Sequence, residues 1–330
     1  MVRALDEKNK LDNSKPIEIF IKIHSKVLTL LYRYLKESKK MRVDETRRIV
    51  ELPDSISFSR HANPARYSGP DNPLSKKYPS ITEKGVKQAH MTVREELLPA
   101  LEATPPDTVL FILAKSDQTR TGHTADAYGD EFDRIAQIRD DLFVLTKTKL
   151  SVQRGNTIRT IKEIIKENPD KKIVVVYPLL VKQLSYAFEG RWTTDCNKAS
   201  YFEELLNKYG GDYGASLHDW IETQGKLVLE DGTTLTGPLP EKIAREYLEG
   251  IMRVYHFVKK QVPNRPIRVH GVGHQLDLDA VVTFLATGKV DTLSFIQVTG
   301  GTAINESELI TDITFSSNGR ITVKYRGKEF

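Results

Sequence analysis

The sequence predicts an α/β sandwich with three layers, in which helices cover both faces of a largely parallel central sheet. Short apolar runs, such as TVLFILAKS at 108–116 and KKIVVVYP at 171–178, are typical of strands that are buried on both faces. They alternate along the chain with segments of helical periodicity, as in α/β proteins. With 330 residues, the chain is long enough for one large domain that carries an insertion.

The first elements follow from periodicity and turn signals. Apolar side chains recur at helical spacing in residues 16–40, which predicts an amphipathic helix near the N-terminus. A strand is predicted at about 54–60, and a loop rich in proline follows it. Thr82 then caps a helix that ends at Pro105-Pro106.

The later elements continue the same alternation. After the strand at 108–116, the predicted elements are a helix near 155–168, a strand at 171–178, a helix at 239–261, a strand at 266–272, a helix at 276–288 and a C-terminal pair of strands joined by Asn318-Gly319. The pattern loosens from about 126 to 250, where polar, aromatic and glycine residues mix. We therefore predict a helical extension at 1–45, a core formed by 46–140 and 251–330, and an inserted cap at 141–250.

Composition narrows the function classes. The net charge of +5 and the pI near 9.0 suit an anionic ligand, but no RNP, zinc-finger or Lys/Arg-run motif indicates nucleic-acid binding. The N-terminus lacks the pattern of a signal peptide, and its longest apolar stretch is shorter than the ~20 residues of a membrane span. The single cysteine, Cys196, excludes an internal disulfide and fits a reducing compartment. We expect a cytoplasmic protein with no nucleic-acid or membrane partner.

Basic residues and histidines follow three of the predicted strands. Arg60-His61 follows the first strand, the segment from Ser116 to Arg120 follows the second, and Gly273-His274 follows the strand at 266–272. In open α/β sheets, ligand sites form at the carboxyl ends of strands. Two arginines and two histidines gathered there without acidic partners would repel one another unless an anion lay between them. A phosphoryl group would meet that need.

Four short motifs occur around these residues. They are RHA at 60–62, ITEKGVKQA at 81–89, SDQTRTGHTA at 116–125 and VGH at 272–274. In order and spacing they resemble the motifs of the histidine phosphatase superfamily, also called the phosphoglycerate-mutase-like family. Ala62 departs from the family's Arg-His-Gly, in which glycine follows the histidine. The resemblance spans about 220 positions and implies a phosphoglycerate-mutase-like sandwich with an inserted cap.

The resemblance also implies a phosphohistidine mechanism without a cofactor. His61 would be the nucleophile that attacks phosphorus, and its other ring nitrogen would be held by a backbone carbonyl. Arg60 and Arg120 would clamp the phosphoryl oxygens, and His274 would be a further donor. The substrate would be a phosphorylated small molecule or a phosphoprotein.

Further residues are candidates for binding and for proton transfer. Ser116 belongs to the third motif; Asn63, two residues after His61, could donate its amide to phosphate; and Arg66 lies in the following loop. The family's general acid, a glutamate in a Leu-x-Glu setting, has no clear counterpart. Glu189, Asp140 and Asp141 are fallback candidates, although each fits a solvated surface carboxylate better than a catalytic acid.

Aromatic residues of the cap, among them Trp192 and Tyr213, could select the leaving group or could form the cap's own core. His270 and His274 have the spacing of helical zinc ligands, but two intervening glycines after a strand argue against a helix, so we expect no metal. We therefore expect a phosphatase that acts through a phosphohistidine on His61, with a phosphomutase of the same family and an inactive phosphate-binding scaffold as the alternatives. The oligomeric state is not predicted.

Overall fold

An eight-stranded sheet organises the protein. The computed structural model describes residues 54–152, 157–185, 188, 192, 201–315 and 321–330. Apart from Phe315, these residues belong to one compact unit. The strands, numbered along the chain, are β1 (Ser55–Arg60), β2 (Val109–Lys115), β3 (Leu142–Thr146), β4 (Lys172–Leu180), β5 (Lys226–Val228), β6 (Thr234–Thr236), β7 (Ile267–Gly273), β8 (Leu309–Phe315), β9 (Ile321–Tyr325) and β10 (Lys328–Glu329).

The strand order brings distant parts of the sequence together. It runs β10-β9-β8-β1-β7-β2-β4-β3, while β5 and β6 form a small sheet of their own. Five adjacent strands are parallel to one another, namely β1, β7, β2, β4 and β3, and β8 is antiparallel to β1. Because β7 lies between β1 and β2, Gly273 is opposite Arg60 and Val272 is opposite Lys115. The three strand ends that precede the predicted site residues therefore meet at one edge.

Helices fill the connections between the strands. They are α1 (Glu83–Thr92), α2 (Leu98–Glu102), α3 (Thr119–Ala136), α4 (Lys147–Val152), α5 (Thr157–Glu167), α6 (Tyr201–Lys208), α7 (Tyr213–Glu222), α8 (Pro240–Gln261), α9 (Gln275–Thr287) and α10 (Thr292–Thr299). A π-helical turn, Val93–Leu97, joins α1 to α2.

Helices cover both faces of the sheet. In β1, the ring of Phe58 lies 6.1 Å from that of Tyr247 of α8, whereas the next residue, Ser59, accepts a hydrogen bond from Tyr128 of α3. Successive side chains of a strand point to opposite faces, so α8 and α3 lie on opposite sides. The predicted fold class, an α/β sandwich with a largely parallel sheet, is confirmed.

Most predicted elements are found near the expected positions, with one shift in the domain boundary. Thr82 caps α1 by accepting a hydrogen bond from Gly85 N. However, β3 and β4 are strands of the main sheet, so these two strands lie in the core and not in the cap to which the sequence assigned them. The insertion between β4 and α8 contains α6, α7, β5 and β6. The helix predicted at 16–40 and the turn at Asn318-Gly319 lie outside the described residues.

Within the described ranges, no single helix has both the length and the apolar composition of a membrane span. Helices α9 and α10 reach that threshold only when they are taken together, and they are bent by 91° relative to each other.

Candidate active site

His61 lies directly after β1, and its ring has a defined orientation. Its backbone N–H donates to Gly273 O of β7 at 3.1 Å, which fixes the residue at the carboxyl edge of the sheet. Its Nδ1 lies 2.8 Å from the carbonyl oxygen of Ala62. Because a carbonyl can only accept, Nδ1 carries the proton and Nε2 carries the lone pair.

Arg120 faces that lone pair. Its Nε–H donates to His61 Nε2 at 3.1 Å, and its Nη1 donates to the side chain of Gln118 at 3.2 Å. Arg120 lies in the first turn of α3, which begins directly after β2 and its loop. Burial, together with the positive charge of Arg120, holds the pKa of His61 well below its usual value. His61 is therefore a neutral imidazole at pH 7.

His274 is held on the other side of Arg120. Its Nε2 lies 2.7 Å from Ser116 Oγ, and its Nδ1 lies 3.4 Å from Arg120 Nη2, which can only donate. The proton of a neutral His274 therefore belongs on Nε2, where it meets the serine hydroxyl. Burial and the neighbouring His61 and Arg120 hold the pKa of His274 well below its usual value. Ser116 is completely buried, and its hydrogen bond to Nε2 fixes the orientation of the His274 ring.

Arg60, the last residue of β1, is held by the segment that precedes β8. Its Nη1 donates to Ile304 O at 2.8 Å, and its Nη2 lies 4.0 Å from Glu306. The Ile304 N–H donates in turn to the buried carboxyl group of Asp279 at 2.9 Å. The Nε–H of Arg60 is buried and has no acceptor among the described residues.

Two helix N-termini reach the same place. Helices α3 and α9 begin directly after the loops that leave β2 and β7, and residues of their first turns line the cavity described below. The first N–H groups of a helix have no intrahelical partner, and the helix dipole places positive potential there. Both helices therefore add to the attraction for an anion.

These groups line a cavity of about 230 Å³. Its lining residues are Arg60, His61, Arg66, Gln118, Arg120, Phe202, Tyr213, His274, Gln275 and Leu276. Three arginines and no carboxylate are among them. With both histidines neutral, the lining carries three positive charges, which suits a phosphoryl dianion.

Asn63 is engaged within the protein and does not line the cavity. Its amide Nδ2 donates to both carboxylate oxygens of Glu306, at 3.0 and 2.9 Å, and its Oδ1 accepts from Thr82 at 2.7 Å. Gln88 also donates to Glu306, at 3.2 Å, and receives a bond from the backbone N–H of Asn63 at 2.9 Å. Asn63 thus fastens the loop after His61 to α1 and to the segment beside Arg60.

Arg66 lies at the exposed side of the cavity. The centre of its guanidinium group is 4.9 Å from the ring centroids of both Tyr67 and Tyr213. Tyr213 begins α7, so this contact joins the loop after His61 to the inserted helices. Arg66 and Tyr213 are brought together with His61 and Arg120 around one space.

The carboxylates proposed as the general acid lie elsewhere or are not described. Asp140 and Asp141 precede β3, and Asp141 O accepts from Lys172 N at the start of β4, so both residues lie at the amino end of the sheet. Both are exposed, and Asp141 is paired with Arg139. Hydrogen bonding to Arg139 lowers the pKa of Asp141, which makes it a poorer proton donor. Glu189 lies outside the described residues.

His270 lies within the sheet below the cavity. Its Nδ1 is 2.9 Å from Ser57 Oγ and its Nε2 is 3.0 Å from Ser59 Oγ, while Tyr128 donates to Ser59 at 3.0 Å. Burial lowers the pKa of His270 to about 3, so the ring is neutral. In the part of the chain that the structure describes, no group of three or more His, Cys, Asp or Glu side chains is arranged to hold a metal ion.

The structure adds site residues that the sequence did not single out. Gln118 is inside the third motif, and Gln275 and Leu276 directly follow His274, so their adjacency was the available signal. Phe202 gave no signal of its own. Glu306 was not predicted either, because its contacts with Asn63 and Gln88 bridge more than 200 positions.

No protein-family model matches the chain, and no curated protein sequence matches it. Among solved structures, a mycobacterial glucosyl-3-phosphoglycerate phosphatase is 13% identical, with a TM-score of 0.42 over 82% of this chain and 97% of that one. The alpha-ribazole phosphatase from Shigella flexneri is 13% identical, with a TM-score of 0.38 over 82% of this chain and 94% of the other. A protein described as mycobacterial hydrolase 1 is 10% identical, with a TM-score of 0.41 over 84% and 100%. At such scores these likenesses assign no activity to this chain, and its chemistry is inferred from its own residues.

Proposed function

We propose that this protein is a phosphatase that hydrolyses a phosphomonoester or a phosphorylated protein through a phosphohistidine on His61. The observation that carries the proposal is the neutral imidazole of His61, whose Nε2 lone pair faces a cavity lined by three arginines. The four motifs around these residues support the same reading. A site built only to bind an anion would gain nothing from such a lone pair, because an unprotonated nitrogen repels phosphate oxygens.

In the first step, His61 Nε2 attacks phosphorus in line with the leaving oxygen. The N–P bond forms while the P–O bond to the leaving group breaks, and the departing oxygen takes a proton from solvent. In the ligand-free structure, Arg120 donates to Nε2 of His61. When the phosphoryl group enters, Arg120 changes its hydrogen-bond partner from this nitrogen to a phosphoryl oxygen. The guanidinium group of Arg60, which also lines the cavity, gains an anionic partner in the same event.

In the second step, water hydrolyses the phosphohistidine. The water oxygen bonds to phosphorus, the N–P bond breaks, the surplus proton goes to solvent, and Nε2 regains its lone pair. The hydrogen bond from Nδ1 to Ala62 O keeps the same tautomer throughout both steps. The hydrogen bond with Ser116 keeps the ring of His274 beside Arg120 in both steps.

The test uses purified protein and its His61→Ala variant on p-nitrophenyl phosphate and on a panel of phosphometabolites, nucleotides and phosphoproteins. We expect turnover that His61→Ala abolishes, because the variant has no nucleophile. Rapid acid-free quenching should trap an acid-labile phosphoryl group on the wild type alone. His256→Ala is the matched control, since His256 lies on α8 and does not line the cavity.

Two outcomes would contradict the proposal. Full activity in His61→Ala would remove the phosphohistidine mechanism. A wild type that binds phosphate but turns over no member of the panel would favour a phosphate-binding scaffold instead.

A further inference from the structure

Three of the residues that line the cavity have aromatic or apolar side chains. They are Phe202 of α6, Tyr213 of α7 and Leu276 of α9, and they share the cavity with the arginines and histidines. The ring centroids of Phe202 and Tyr213 lie 6.0 Å apart and the rings are tilted by 58°. This geometry is typical of paired aromatic side chains, and we call Phe202, Tyr213 and Leu276 the aromatic wall of the cavity.

The wall is held in place from both sides. Phe202 packs edge-on against Trp192, with 5.6 Å between the ring centroids, and Trp192 is buried and donates to Asp277 of α9 at 3.0 Å. The guanidinium of Arg66 contacts the ring of Tyr213 at 4.9 Å. A ring fixed in this way loses little conformational entropy when it contacts a ligand.

The rings and the anion site share one cavity, so a single ligand would contact both. Its phosphoryl group would lie among Arg60, Arg120 and His61, and its leaving group would lie against the rings. A polar leaving group would find few partners on this wall and would lose its water, whereas a flat apolar one would gain from burial. The volume of about 230 Å³ is below the roughly 300–1,000 Å³ of common ligand pockets, so the leaving group is small.

We propose that Phe202, Tyr213 and Leu276 form a leaving-group subsite that selects phosphate esters of single-ring aromatic alcohols over esters of polar alcohols of similar size. This inference rests on the proposed phosphatase function. The ring can belong to a small molecule or to a phosphotyrosine side chain, because the two present the same chemistry to the wall.

The test compares kcat/KM for benzyl phosphate with kcat/KM for glycerol 1-phosphate, because the two alcohols are of similar acidity and their esters differ little in intrinsic reactivity. We expect the wild type to favour benzyl phosphate by about tenfold or more, which corresponds to one well-made aromatic contact. Tyr213→Ala should reduce this ratio by about tenfold, and Tyr213→Phe, which keeps the ring, should preserve it. Phe257→Ala removes an exposed ring of α8 and is the matched control.

Binding of the non-hydrolysable analogues benzylphosphonate and methylphosphonate, measured by calorimetry, separates the two proposals. A ring preference in binding that Tyr213→Ala removes, in a protein without turnover, would keep the subsite and refute the phosphatase. Turnover with the same benzyl-to-glycerol ratio in wild type and Tyr213→Ala would keep the phosphatase and overturn the subsite. Comparing a phosphotyrosine peptide with phenyl phosphate then decides which source of the ring is preferred.

Discussion

The position of one proton decides what His61 can do. The carbonyl of Ala62 keeps that proton on Nδ1, so Nε2 is unprotonated and accepts the hydrogen bond from Arg120. Ala62 has a negative φ, so this position does not adopt the left-handed conformation that favours glycine. Its N–H donates to Thr124 at 3.0 Å, which ties the loop to α3.

Replacing Arg120 with glutamine should raise the pKa of His61 in the ligand-free protein, because one of the causes that lower it is removed. In the wild type, the lowered pKa keeps His61 neutral even at a pH below 6.5, the usual pKa of histidine. As the solution is acidified, the variant should therefore lose activity at a higher pH than the wild type. The kcat/KM should also fall by roughly 10²-fold, as for loss of a transition-state donor. NMR titration of the imidazole and a pH profile of kcat/KM measure both effects.

Arg134→Gln is the matched control, because Arg134 lies on the same helix and is paired with Glu131. It should change neither the pKa of His61 nor the rate. An Arg120→Gln protein with an unchanged His61 titration would show that Arg120 does not set the charge of the nucleophile.

Two loops and two helices position the site, and close backbone approaches fix their geometry. Helix α1 packs against the loop that follows His61 so closely that a Cβ on Gly85 would lie 2.6 Å from the carbonyl oxygen of Asn63. Thr82 N donates to this same carbonyl at 3.1 Å. The second motif, which contains Gly85, therefore supports the loop after His61 and does not line the cavity.

Gly85→Ala should lower the free energy of unfolding by about 1–3 kcal/mol, because the added methyl group forces backbone to move in a packed region. The same shift should reduce kcat by displacing the loop after His61. Urea unfolding and steady-state kinetics measure the two effects. Gly69→Ala is the control, since nothing lies within 4 Å of a Cβ placed there. Equal stability of the two variants would refute the role of the close approach.

The molecule as a whole keeps several histidines buried and neutral. His61, His270 and His274 each have a pKa lowered by burial, and that of His270 is about 3. In the unfolded chain these rings bind protons at about pH 6.5. Below that pH the unfolded state binds more protons than the native state, so the stability of the fold is lost as the pH falls.

The free energy of unfolding should decrease between about pH 6 and pH 4. Each buried neutral histidine contributes a slope of roughly 1.4 kcal/mol per pH unit in this window, and protonated carboxylates add to the loss. His270→Gln, which offers polar atoms to Ser57 and Ser59 but cannot titrate, should reduce the slope by about one histidine's share. Urea unfolding at pH 4, 5 and 6 tests this. Equal slopes in the two proteins would show that His270 is protonated in the folded state.

The sequence by itself determined the elements and the chemical groups. Apolar runs and caps are local signals, so the strand at 108–116 and the cap at Thr82 could be read from neighbouring residues. The motifs placed Arg60-His61, Arg120 and His274 at strand ends, and the parallel sheet explains why they meet. The cap boundary was set too early, because β3 and β4 join the sheet through pairings that periodicity does not reveal.

Only the tertiary structure decided what surrounds these groups. Glu306 and Ile304 hold Asn63 and Arg60 across more than 240 positions, and no spacing rule covers such a distance. The aromatic wall depends likewise on how the inserted helices meet α9. Hydrogen bonds and packing between distant segments are set by the whole chain at once. The reactive groups could therefore be read from the sequence, whereas their partners and the shape of the cavity could not.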